Sequence, residues 1–143
     1  MKAVASVTVP ATPDFVRAAG QFVVQTSRHL GVAAADSPLF EVAVVEALAN
    51  AVQHGSRGRP DAVITCEIER HGGGLSIRIY DEGEGFTPVA RPLPAIDSSD
   101  VTAVPDSGYG VPIMQSVFQD IQAHRRDGRF CLELTLGAEL PLT

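Results

Sequence analysis

No apolar run in the chain approaches the ~18–20 residues that cross a bilayer, so no membrane-spanning helix is expected. Cysteine is scarce. Cys66 and Cys131 each sit in a strand-like run and show no metal-binding spacing, so they read as buried free thiols. A disulfide between them would require those two strands to be neighbours. Basic residues are outnumbered, 11 Lys and Arg against 17 Asp and Glu. The resulting net charge of −6 and pI of about 5.1 argue against a broad nucleic-acid surface. The N-terminal stretch Met1–Val9 is short for a signal peptide and is soon broken by Pro10 and Pro13, so a cytoplasmic protein is expected.

What is present is an ordinary globular composition, with 45% hydrophobic and 20% charged residues over 143 positions. That length suits one domain over 1–143 with a real core. Residues 4–9 alternate as an opening strand. Thr12-Pro13-Asp14 is a helix start, followed by Phe15, Ala18, Ala19, Phe22, Val23 and Leu30 at helical spacing and closed by Gly31. Arg17 reads as a solvated charge on this helix. Ser37-Pro38 repeats the start signal for a second helix that ends at Gly55. Strands are expected at 62–69 and 75–80, joined through His71–Gly74, and a closing hairpin at 120–125 and 129–136 around Asp127-Gly128. Between them, residues 87–107 carry four prolines and no period, which reads as a lid or binding loop before a third helix from Gly108-Tyr109-Gly110. Paired helices and hairpin strands define an α+β two-layer sandwich, with a mixed or antiparallel sheet and helices on one face.

The second helix carries an unusual stripe. Val42, Val45, Leu48, Ala49 and Val52 read as its apolar face, while Glu46, Asn50 and His54 recur every four residues beside it. A carboxylate and an amide amid alanines and valines need a partner, because buried polar groups cost free energy when unsatisfied. The helix alone leaves two readings open: a bound metal–phosphate group, or hydrogen bonds where two helices meet.

Two glycine motifs favour the first. The returning strand runs into Asp81-Glu82-Gly83-Glu84-Gly85-Phe86, and Gly108-Tyr109-Gly110 opens a helix. Glycines before a helix N-terminus let backbone N–H groups approach phosphate. Glu46-x-x-x-Asn50, Asp81-x-Gly83-x-Gly85, a lid at about 86–107 and Gly108-x-Gly110 together resemble the GHKL (Bergerat) ATP-binding fold of gyrase, a heat-shock chaperone, histidine kinases and mismatch-repair ATPases. The wordings Glu-Ala-Leu-x-Asn-Ala-x-x-His-Gly and Asp-Glu-Gly-x-Gly-Phe most resemble the bacterial anti-sigma-factor serine kinases.

That resemblance implies roles. Asn50 would ligate Mg²⁺, Asp81 would accept from the adenine amino group, and Gly83 and Gly85 would pass the base and start the lid. Gly108, Tyr109 and Gly110 would hold the phosphates of ATP, and Glu46 would be the general base for a target serine. His54 is expected to cap or pack the helix end. The implied partners are a sigma factor and an anti-anti-sigma (STAS-type) protein, with no direct contact to nucleic acid or membrane; kinases of the group commonly form homodimers. The chain departs from the group at Pro105-Asp106-Ser107, where several relatives carry an arginine that neutralises phosphate, and at Gly128-Arg129-Phe130, where a threonine often supports the adenine contact. Arg17 and Arg91 are candidate substitutes for the missing arginine. Three readings follow: a serine kinase, which Glu46 favours; a nucleotide-dependent binding switch, which Asp106 favours; and a histidine-kinase ATPase module, which the absence of a preceding phosphoacceptor helix pair disfavours.

Overall fold

In the computed structural model the described residues are 5–55, 61–83 and 110–137, without the side chains of 110–112. The elements run β1 (Ala5–Pro10), α1 (Pro13–His29), a 3₁₀ turn (Ala33–Asp36), α2 (Pro38–Gly55), β2 (Val63–His71), β3 (Gly74–Asp81), α3 (Gly110–Val117), β4 (Asp120–Arg126) and β5 (Arg129–Leu136). Five strands form one sheet in the order β1-β2-β3-β5-β4, and every pair is antiparallel. The helices lie on one face, as the α+β sandwich requires, and among the described residues no strand runs parallel to its neighbour.

Local chemistry sets the boundaries. Pro13 opens α1 with Thr12 in extended conformation before it, and Ser37 Oγ accepts the Leu39 N–H at 3.2 Å ahead of α2. The β2–β3 connection is tighter than expected: His71 pairs with Gly74, and Gly72 takes φ +60° in a two-residue turn. Asp127 and Gly128 take φ 55° and 78°, which makes the final hairpin turn a primed one and fixes the pairing Arg126 to Arg129 and Arg125 to Phe130.

Strand β3 is central and buried along its whole length. Leu75, Ile77 and Ile79 face the helices with Ile64, Cys66 and Ile68 of β2. A one-residue register slip would exchange Ile77 and Ile79, each worth roughly 2 kcal/mol buried, for Arg78 and Tyr80. Cys66 lies in this core and Cys131 on the opposite face of β5, with β3 between them, so the two are free thiols and no disulfide forms. Burial pushes them up to about 12 and about 11.

On the face without helices, Arg78 binds three carboxylates: Glu69 at 2.7 Å, Glu133 at 3.2 Å and Glu67 at 3.3 Å. The hydrogen bond from Arg78 lowers the Glu69 pKa from its ordinary value of 4.5. A lowered folded-state value contributes stability that is present above 4.5 and lost as pH falls through the lowered value. Arg78→Met is therefore expected to cost roughly 2 kcal/mol at pH 7, between the limits for exposed and buried pairs. Urea denaturation should show the gap to the native protein closing as pH falls below 4.5; a gap independent of pH would mean the arginine stem, not its charge, is what stabilises.

Two apolar faces differ from the sequence pattern. On α1, Phe15 is 41% exposed and Ala18 is exposed, while Ala19, Gly20, Val23, Val24 and Ser27 are buried. On α2, Val42 is 43% exposed, and the buried residues are Phe40, Ala43, Val44, Ala47, Leu48, Ala51, Val52 and Gly55. Of the expected faces Ala19, Val23, Leu48 and Val52 are buried; α2 adds a buried row of small residues one turn apart, Ala43, Ala47, Ala51 and Gly55, the last of which stands against Asp81.

Candidate functional site

The far end of α2 meets the end of β3 backbone against backbone. A Cβ added to Gly55 would stand 2.7 Å from the Asp81 Cβ, and one added to Gly83 would fall on the His54 carbonyl oxygen. Both glycines are required by this approach, since any side chain at either position displaces its neighbour. The turn after β3 is thereby seated on the last turn of α2.

Asp81 is 1% exposed at this junction. Its Oδ1 accepts the Gly83 N–H at 2.8 Å, closing the turn locally. Burial pushes its pKa up, and the Gly83 N–H, His54 and Arg125 oppose that rise. A strand-end carboxylate under these conditions is a strong acceptor for a ligand amino group.

Going back along α2 from Gly55, Asn50 lies about 7–8 Å up the axis and Glu46 about 6 Å further, at 1.5 Å per residue. Glu46, Asn50 and His54 are all half-buried, each on the same stripe. Helix α3 packs along α2; Phe118, just beyond its C-terminal end, meets Phe40 near the start of α2 with ring centroids 5.9 Å apart. The helices therefore run antiparallel, and Gly110, which opens α3, lies toward the second half of α2. Asp81 and Gly83 thus sit against the last turn of α2, Asn50 and Glu46 lie further back along that helix, and Gly110 opens the helix packed beside it. Gly85, Gly108 and Tyr109 lie outside the described residues, as do the segment 86–107, Arg91 and Asp106. Arg17 is exposed on α1.

One residue at this junction was missed in the sequence. Asp81 pairs with Phe130 of β5, which pairs with Arg125 of β4, so the three form one row on the helix-covered face. Arg125 Nη2 donates to the Gly83 carbonyl at 3.1 Å. The alternation of Ile121, Ala123 and Arg125 in β4 was a signal for its face, and the two-residue turn for its partner. The pairing of β5 with β3, which brings Arg125 toward Asp81, is tertiary and has no local sign.

A five-stranded antiparallel sheet under three helices, with a buried carboxylate at a strand end against a glycine turn, is the GHKL type of ATPase fold. The chain belongs to the histidine kinase-like ATPase domain family, which matches residues 9–136. Among curated proteins it is similar to the serine-protein kinase RsbW of Listeria innocua, 24% identical over 123 residues that cover 84% of this chain and 78% of that one. It is also similar to the anti-sigma F factor of Clostridium botulinum, 32% identical over 79 residues, about half of each chain (53% and 52%). A solved structure of the RsbU and RsbW domains of a Mycobacterium tuberculosis protein aligns with a TM-score of 0.56 at 14% identity. It covers 93% of this chain but 32% of that longer one, and it shows the fold. Among the described residues no helix is long and apolar enough to cross a membrane.

Proposed function

We propose that the chain binds Mg·ATP along α2 and acts as a regulatory serine kinase of the anti-sigma-factor type. In this reading it holds a sigma factor and phosphorylates a serine of an anti-anti-sigma, STAS-type protein. The observation that carries the proposal is the seating of the Asp81–Gly83 turn on His54–Gly55. It sets a buried acceptor for the base at one end of α2 and the Asn50–Glu46 stripe further along, where a nucleotide's phosphates would reach.

The residues present fit such a ligand. Among the described residues no group of three His, Cys, Asp or Glu could cage a metal. An octahedral Mg²⁺ that keeps most of its waters and takes its other oxygens from phosphate asks for only one or two protein ligands, and the Asn50 amide oxygen supplies one. When bound, the ion would neutralise charge on the terminal phosphates. The chain's own work is then positional. Asp81 would accept one N–H of the base amino group, and Gly83 would let the backbone lie beside the ring. The backbone N–H groups of Gly108–Gly110 at the start of α3 would face phosphate oxygens. The Glu46 carboxylate would accept the proton of the target serine hydroxyl as that oxygen attacks the γ-phosphate.

A second reading is a switch in which nucleotide sets partner affinity with little transfer; Asp106, a carboxylate where relatives place a phosphate-neutralising arginine, favours it. The test is incubation of the whole chain with γ-labelled ATP, Mg²⁺ and the STAS-type protein encoded beside it. Acid-stable label on a serine of that protein is the expected result. ATP bound without transfer would support the switch, and acid-labile label would point to histidine.

A further inference from the structure

We propose that Arg125 is a base-reading residue: its guanidinium donates to the ring nitrogen N1 of adenine while Asp81 accepts from the adjacent amino group. The inference rests on the nucleotide reading above and deepens it. It starts from the row Asp81–Phe130–Arg125, which crosses three strands on the helix-covered face at the end of the sheet where Gly55 and Gly83 meet. Asp81 is an acceptor, Phe130 offers an apolar side chain that carries no donor, and Arg125 is the donor of the row.

The orientation of Asp81 decides which base edge suits it. Its Oδ1 is turned to the Gly83 N–H at 2.8 Å, and among the described residues Oδ2 takes no hydrogen bond, so it is the oxygen that would meet a ligand. One free carboxylate oxygen matches one amino group. Adenine presents such a group at N6, with the acceptor N1 beside it. Guanine presents two neighbouring donors at N1 and N2, which ask for both oxygens of one carboxylate. An adenine held by Asp81 would turn its N1 acceptor to the same side, where a donor adds a second contact, and the Phe130 ring carries none.

Arg125 stands at this junction. Its Nη2 already reaches the carbonyl of Gly83, two residues from Asp81. A guanidinium has five N–H donors in a rigid fork, and one of them on the Gly83 carbonyl fixes the plane of the others. Burial raises the Asp81 pKa, and the charge of Arg125 opposes that rise after the Gly83 N–H and His54.

The test uses the whole chain, Mg²⁺, ATP, GTP and 1-deaza-ATP, which has C–H in place of N1, with affinities from calorimetry. The native protein is expected to bind ATP about tenfold more tightly than 1-deaza-ATP, and more tightly than GTP. Arg125→Ala is expected to bind ATP about tenfold more weakly while its affinity for 1-deaza-ATP stays near the native value, so the preference collapses. Thermal unfolding should move little, because Arg125 is exposed on the edge strand. If the variant keeps the native preference for ATP, or weakens both nucleotides equally, Arg125 only braces the Gly83 turn and the proposal is overturned. GTP binding tighter than ATP overturns it as well. A native protein that binds ATP without regard to N1 sinks this inference alone, whereas one that binds neither adenine nucleotide sinks the nucleotide reading on which it rests.

Discussion

Asn50→Ala is expected to weaken Mg·ATP binding about a hundredfold or more, while Glu46→Gln leaves it within a factor of about three and abolishes transfer. The two residues lie one turn apart on the same stripe of α2 and share a half-buried setting, so burial cannot make their variants differ. Their chemistry does. An amide oxygen is a neutral donor to a hard cation, and alanine removes it without replacement. A hundredfold loss corresponds to about 2.7 kcal/mol, the scale of one lost oxygen ligand to a metal shared with phosphate. Glutamine keeps the size and polarity of Glu46 but cannot accept a proton, and removing a general base costs about 10²–10⁴ in rate. Calorimetry with Mg·ATP and a single-turnover phosphotransfer assay separate the effects. Unchanged affinity in Asn50→Ala would remove it from the metal, and native transfer by Glu46→Gln would remove it as the base.

Much of this architecture was legible because the local signals agreed. Thr12-Pro13, Ser37-Pro38 and Asp127-Gly128 each specify a helix start or a turn by backbone chemistry, and each stands where that chemistry puts it. The alternation in β2 separates Ile64, Cys66 and Ile68 from Val63, Thr65 and Glu67, and the first set is the one in the core. On α2 the pattern had Leu48 and Val52 in the core but added the exposed Val42 and the half-buried Val45 and Ala49. The row Ala43, Ala47, Ala51 and Gly55 is also buried, and at Gly55 the reason is the close approach of Asp81, which hydrophobicity does not encode. The same limit hid Arg125. Its place at the site depends on β5 crossing between β3 and β4, a pairing between residues far apart in sequence. That α2 and the Asp81 turn come together follows from the motifs; that they do so backbone against backbone at Gly55 and Gly83 had no local sign.

That meeting gives the second large effect. Gly83→Ala is expected to lose both nucleotide binding and stability, whereas Asp81→Asn loses binding alone. In Gly83→Ala the new methyl falls on the His54 carbonyl, a backbone group in the last turn of α2, so no rotamer change relieves the overlap. Either the turn lifts away or the helix end unwinds. Overpacking of this kind costs about 1–3 kcal/mol. Lifting the turn also breaks the Gly83 N–H bond that orients the Asp81 carboxylate, so the acceptor for the base is lost with it. In Asp81→Asn the amide side chain would keep the shape and could still accept from Gly83, but it presents an N–H₂ to the base amino group, donor against donor. The stability of this variant should match or exceed the native value at neutral pH. Burial raises the folded-state pKa of Asp81, so its ionised form costs stability as pH rises through that value, and a neutral amide escapes this cost. Urea denaturation paired with ATP calorimetry reads both quantities. Native affinity in Gly83→Ala would mean the turn does not touch the ligand, and a large loss of stability in Asp81→Asn would make that carboxylate a structural group and leave the base without its acceptor.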